Sequence, residues 1–329
     1  MSFESDSHAT RGQSDEESRI DRTFPMDGHP FGLCLTHDID RPYKTKQALY
    51  YALTDRSAHH FRAFLPNEYP WWQFEQIMSM EADLGVRSAF YVLREPHILS
   101  RPPTEWLDSV HLIEHLGRYD PADPDLVELF RELERGGWEI GLHASYGSHR
   151  DADRLRMEKE ALEALLGHDV HGIRHHRLEF DPPETWALHR ELGFRYDTSL
   201  GSSADVGFEY GDDVFRPFGD DFVSFPMTIM EKALPADPDE AWAVCERILS
   251  EAYDRNAVVT VLWHPRNFNE RDFPGQATLY RRLIERAQEL GAWVGSPKQL
   301  YERLDLPADE KAGTQPNLPS EARDPAGVQ

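Results

Sequence analysis

Leu35–Pro42 reads LTHDIDRP and completes the apolar run FGLCL. Side chains alternate along an extended chain, so Asp38 and Asp40 point to one side while Ile39 points into the packing. The C-terminal end of a buried strand is where α/β folds place their sites. Two unpaired carboxylates that close repel one another, and a cation beside them resolves the conflict. The competing reading makes one of the acids an ordinary loop or N-cap carboxylate bonded to Arg41.

Outward from this stretch, short apolar runs alternate with amphipathic segments. FGLCLT, RSAFYVL, WEIGLH, HGIRH, FRYDTS, FVSFPM and AVVTVLWH read as strands. Helices are expected near 71–84, 125–135, 152–166, 183–192, 239–254 and 276–290. Asp123-Pro124 offers an N-cap followed by Pro at the first helical position, Leu126, Phe130 and Leu133 share a face, and Gly136-Gly137 supplies a stop. In WEIGLH, Trp138, Ile140 and Leu142 take one side and Glu139, Gly141 and His143 the other. AVVTVLWH is apolar on both sides, as a strand covered on both faces must be. The repetition of strand and helix predicts one α/β domain with a mainly parallel sheet over 29–306. Residues 1–28 and 307–329 are polar, acidic and poor in large apolar side chains, and are expected to be disordered.

The 329 residues carry 59 Asp and Glu against 35 Lys and Arg, a formal charge of −24, and six of the 35 basic residues are Lys. An acidic, lysine-poor surface resembles that of proteins from high-salt cytoplasm, where salt screens carboxylate repulsion. Such a charge excludes a nucleic-acid backbone as a natural partner. No run approaches the roughly 18 apolar residues of a membrane helix, and the first residues lack the apolar core of a signal peptide. A cytoplasmic protein without membrane insertion is expected, and the sequence is silent on its oligomeric state. Cys34 and Cys245 read as reduced core residues.

Other strand ends repeat the pattern of the first. GLHASYGSH ends a strand at His143, GIRHHR presents Arg174 and His176 on one side, and VLWHPRNF ends in His264. A lone His is usually structural, but four strand ends each delivering His, Asp or Arg form a constellation. Imidazole and carboxylate together suit a borderline divalent ion such as zinc, with Co, Ni, Fe or Mn as its neighbours in chemistry. His59-His60 and His111/His115 read as solvated surface, and His37 should face away from Asp38.

These residues resemble those of the polysaccharide deacetylases, carbohydrate esterase family 4 with the NodB-homology fold. LTHDID is similar to the family's first motif, usually T-F-D-D; RSAFYVL to its second strand; GIR to its Arg-bearing motif; ELGFRYDTSL to its GFRYDSS segment; and LWHP to the last motif with its His. The similarity runs in family order from about 31 to 305. It implies a distorted (β/α)7 barrel and metal-dependent removal of an acetyl group from an N-acetylated sugar or glycan precursor. By the same resemblance Asp38 is the general base, Asp40 a metal ligand, His143 the first His of the second motif, Arg174 the group that holds the base, and His264 the general acid. The chain departs from the pattern by Ile39 between the aspartates, by Gly147 where H-x-x-x-H has its second His, and by the missing Pro of the third motif, which marks a divergent branch. The remaining imidazole ligand is expected from His176, which shares strand parity with Arg174, with His149 as the alternative. Two other readings are an amidohydrolase of a small non-sugar amide on the same fold and a non-catalytic sugar-binding protein.

Overall fold

The computed structural model describes residues 28–304 and 306 apart from 45, 46, 55, 66, 67 and 102. The two terminal segments expected to be disordered therefore lie outside the described residues, save Gly28. In chain order the elements are β1 (Gly32–Ile39), α1 (Gln47–Thr54), α2 (Phe74–Asp83), β2 (Ala89–Leu93), α3 (Ser109–Gly117), α4 (Pro124–Arg135), β3 (Glu139–Ala144), α5 (Ala152–Leu166), β4 (Gly172–His175), α6 (Glu184–Glu191), β5 (Tyr196–Asp197), β6 (Val223–Ser224), β7 (Met227–Met230), α7 (Pro238–Arg255), β8 (Val258–Leu262), α8 (Gln276–Glu289), β9 (Trp293–Gly295) and α9 (Pro297–Tyr301).

The strands form one parallel sheet in the order β6-β5-β4-β3-β2-β1-β8-β7, with β9 added beside β1. The two ends of that order, β6 and β7, are separated in the chain only by Phe225 and Pro226. The sheet thus curls until its edges nearly meet, and Pro226, which has no N–H to give to a ladder, sits at the seam. This is the distorted (β/α)7 barrel, with helices packed on its outer face.

Strand parity divides the core in two. Leu33, Leu35 and Ile39 of β1 join Phe90, Val92, Ile140, Leu142, Ile173, Val259 and Val261 in the layer between sheet and helices. Cys34 points the other way and packs with Tyr196, Val223, Phe225 and Trp293 inside the barrel. Burial pushes the thiols of Cys34 and Cys245 up, the latter to about 12, so both are inert packing groups. The interior is tight. A Cβ on Gly141 would come within 2.5 Å of the Tyr91 ring, so glycine there makes room for the tyrosine. The guanidinium of Arg174 then lies 4.8 Å from the centre of that same ring.

Local signals explain the helices that the periodicity predicts. Asp123 accepts from the Asp125 N–H at the start of α4, Pro124 opens the helix, and Leu126, Leu129, Phe130 and Leu133 are its buried face. The expected α5 span coincides with the observed one. Helices α1, α3 and α9 and strands β7 and β9 were not expected. They are short, and α1 and α3 belong to the excursions that follow β1 and β2.

Candidate active site

Asp38 is the next-to-last residue of β1, which is buried throughout, and Asp40 is the first residue beyond it; both carboxylates reach His143 on the inner side. His143 of β3 stands between them, its Nε2 3.5 Å from Asp38 Oδ2 and 3.2 Å from Asp40 Oδ1. Arg174 of the neighbouring β4 is fully buried and donates from Nη1 to Asp38 Oδ1 and Thr36 Oγ1, each at 2.9 Å, and from Nε to the Thr198 carbonyl. His264 lies two residues past β8, its Nε2 3.2 Å from Asp40 Oδ2. The structure therefore brings Asp38, Asp40, His143, Arg174 and His264 together.

His176 joins them by an irregular route. It lies just beyond β4 and is followed by Arg177 and Leu178 with φ of 60° and 57°. Two successive left-handed, non-glycine residues cost roughly 1 kcal/mol or more each, a strain that is concentrated at functional positions. The His176 ring meets the His143 ring edge-on at 5.1 Å. His149 is held elsewhere, with Nδ1 3.4 Å from Glu179 and Nε2 3.3 Å from Asp181.

Whether a metal suits these residues can be judged from their own atoms. The Nδ1 of His143 lies 3.0 Å from the Arg174 carbonyl, which can only accept, so Nδ1 carries the proton. In the neutral ring the Nε2 lone pair then faces two carboxylates. Asp40 Oδ1 is buried with no hydrogen-bond partner. Atoms of Asp40, His143 and His176 lie within 4.8 Å of one another, as do atoms of Asp38, Asp40 and His264. Two imidazoles and a carboxylate around an orphaned oxygen fit a divalent cation.

Electrostatics sharpen the roles. Burial works to raise the Asp38 carboxyl, but Arg174, His143 and His264 outweigh it and hold the group below its ordinary value. Asp40 is held well below its ordinary range, mainly by His264 and His143 against burial. Burial alone would lower His264, yet Glu231, whose Oε1 accepts from Nδ1 at 2.5 Å, and Asp40 raise it to about 9. Arg266 also pairs with Asp40 Oδ2, at 3.1 Å.

Four of these neighbours were not foreseen. Glu95 accepts from His176 Nδ1 at 3.0 Å and from the Tyr146 N–H, leaving Nε2 to face the cluster. Glu231 orients His264, Arg266 touches Asp40, and Glu114 binds both Arg41 and Arg177 at the rim. Glu95 stands two residues past β2, the same signal that marked Asp40, whereas Glu231 follows β7, a strand that the sequence did not show. The surface reading of His59-His60 needs correction. His60 is buried, and with His59 it gathers on Asp272, where Lys44 Nζ donates to His60 Nδ1 at 2.6 Å and to Asp272. The ammonium already supplies the cation there. His37 does face away from Asp38, its ring bonded to Glu81 and the Trp263 carbonyl.

No protein-family model matches the sequence, and no curated protein matches it. Solved structures do match in shape. A polysaccharide deacetylase by name from Pseudomonas aeruginosa superposes with a TM-score of 0.56 at 11% identity, covering 86% of this chain and 93% of that one. Another from Mycobacterium smegmatis gives 0.54 at 20% identity, covering 86% and 96%. The barrel is the polysaccharide deacetylase fold. Its strand ends bring together Asp38 and Asp40 of LTHDID, Arg174 of GIR and His264 of LWHP. Beside that site the deacetylase fold opens a cleft of ≈ 890 Å³ whose walls include Glu95, Arg101, Tyr146, Arg154 and Glu179. Among the described residues no helix is long and apolar enough to cross a membrane.

Proposed function

We propose that the protein is a metal-dependent hydrolase that removes the acetyl group from an N-acetylated sugar or glycan precursor. The observation that carries the reading is a carboxylate kept ionised by a buried arginine, beside an orphaned Asp40 oxygen that two imidazoles face. Asp40, His143 and His176 would hold the ion, zinc by the chemistry of its donors. A bound divalent cation polarises the amide carbonyl and lowers the pKa of water towards about 7. Asp38, held ionised by Arg174, takes the proton of the attacking water. His264, charged at neutral pH because Glu231 and Asp40 surround it, delivers a proton to the departing amine. Glu95 and Glu231 fix the tautomers and aim of their imidazoles. The cleft beside Glu95 is of a size that takes a short saccharide.

A second reading, retention of the sugar site without catalysis, draws on Arg266, whose guanidinium competes for Asp40 Oδ2. A small non-sugar amide would use the same machinery. The test is acetate release from N-acetylated sugars and from small amides after chelation and stepwise return of zinc. Zinc-dependent acetate from the sugars supports the proposal. Stoichiometric zinc with no acetate from any substrate, or no zinc uptake at all, would overturn it.

A further inference from the structure

Three aromatic rings gather just past the end of β1. Tyr43 stacks on Trp72 with ring centres 5.5 Å apart, and Tyr69, 53% exposed, meets Tyr43 edge-on at 5.7 Å. They form one wall of a groove of ≈ 320 Å³, with Glu75 of α2 beside them. The opposite wall is α4, where Asp125, Glu128, Leu129 and Glu132 recur at the spacing of a single helix face. Leu129 is buried as the floor, and the three carboxylates are exposed. The groove opens beside the candidate site. Pro42 and Phe74 line the small cavity at Asp38 and Asp40; Tyr43 follows Pro42 in the chain, and the Trp72 ring packs on Phe74 at 5.0 Å.

The lining restricts the chemistry of an occupant. Four carboxylates and no basic residue face the groove. Glu128 is paired with Arg131 and Arg135, and Glu75 accepts from the Trp72 indole. Asp125 and Glu132 make no ion pair among the described residues. The Tyr43 phenol registers that field: burial, then Asp123 and Asp125, push its pKa up. An anion is repelled here, and a neutral sugar leaves the carboxylates unanswered. Aromatic faces ringed by carboxylates suit a cation carried on an apolar body. A pyranose bearing an ammonium group has both parts, a C–H face for the rings and a charge for Asp125 and Glu132. The reaction proposed above makes that group. Water adds to the acyl carbon, the C–N bond breaks, the acyl leaves as acetate, and the freed amine keeps a proton as ammonium.

We propose that the groove between α2 and α4 is a second, non-catalytic subsite that binds amino-sugar units of a glycan already deacetylated. The inference rests on the deacetylase reading for the origin of its ligand. Its volume is at the small end of the roughly 300–1,000 Å³ of ligand sites, so it takes a short fragment of a chain. A partly deacetylated glycan is thereby retained beside the strand ends.

Calorimetric titration of the full chain with a glucosamine tetramer, an N-acetylglucosamine tetramer and tetralysine tests this at low ionic strength, where exposed charges are least screened. The glucosamine tetramer should bind, and the double variant Asp125→Asn/Glu132→Gln should weaken it by at least about fivefold, the worth of two exposed ion pairs. Tyr69→Ala should weaken it too. Both variants should keep the circular dichroism, the zinc uptake and the N-acetylglucosamine tetramer affinity of the wild type. No binding of the glucosamine tetramer overturns the proposal, as does binding that survives both variants. Tetralysine bound as tightly as the glucosamine tetramer would make the groove a general trap for cations and equally refute a sugar subsite. Groove binding without acetate release from any substrate would support the subsite while defeating the catalytic reading, and acetate release without groove binding would do the reverse.

Discussion

Replacing each aspartate of LTHDID by asparagine should separate metal binding from proton transfer, because the two carboxylates live in different surroundings. Asp38 Oδ1 is committed to Arg174 at 2.9 Å, and that guanidinium offsets much of its field. Asp40 Oδ1 has no hydrogen-bond partner and Asp40 belongs to both groups that could share an ion. In the group with His143 and His176 the ligand atoms are within 4.8 Å of one another. The centre of such a triangle is about 2.8 Å from each corner, so bonds of about 2.0–2.2 Å require each side chain to close by under about 1 Å. A unit charge pair at about 4 Å is worth about 4 kcal/mol at an effective dielectric of about 20. Asp40→Asn should therefore weaken zinc binding by at least about 10³-fold. Asp38→Asn should weaken it by less than about tenfold, while hydrolysis falls by about 10²–10⁴-fold, the usual worth of a positioned base. Competition with a fluorescent chelator, together with elemental analysis of dialysed protein, reads the affinities directly. Equal losses of zinc in the two variants, or a larger loss in Asp38→Asn, would refute the division of roles.

Two further outcomes follow from the same geometry. His176→Ala should lose zinc while His149→Ala, whose ring sits between Glu179 and Asp181, binds it stoichiometrically; elemental analysis showing the reverse would move the third ligand to His149. Away from the site, burial lowers His189 from 6.5 to about 3, so the stability due to its neutral form is present above pH 6.5 and lost as pH falls, by about 2 kcal/mol between pH 7 and 5. Its buried neighbour His175, Nε2 to Nε2 at 2.9 Å, is also lowered and adds to that loss, while Asp197, raised to about 6, stabilises the fold increasingly as pH falls through that value and so offsets part of it. Denaturant titrations should show a flatter acid limb in His189→Gln than in wild type, and an unchanged slope would mean that His189 is not buried neutral.

What could be read from the sequence, and what could not, divides along the sheet. A parallel strand covered on both faces is a nearly unbroken apolar run, so β1, β2, β3 and β8 announce themselves, and a charged residue just past such a run is conspicuous. Asp40 and His264 are visible for that reason, and His143 and Arg174 because a polar side chain stands near the end of a strand that is otherwise buried. Helices α1 and α3 escaped because their leucines and tyrosines, Leu49, Tyr50, Leu53, Leu112 and Leu116 among them, lie exposed on excursions instead of marking a buried face. His60 was misread because its burial depends on Lys44 and on Asp272, which lies 228 residues along the chain from that lysine. Glu231 shows the limit most clearly. It stands one residue past a four-residue strand that the apolar pattern merged with its predecessor, and nothing local distinguishes it from a surface acid. Only the pairing of β7 with β8, Met230 beside Leu262, sets the ends of those strands side by side and brings its carboxylate to His264. A strand end supplies a functional side chain that the sequence can show; the partner that tunes its pKa comes from another strand, the adjacent β7 for His264 and the more distant β4 for Asp38, and the closure of the sheet decides which strand that is.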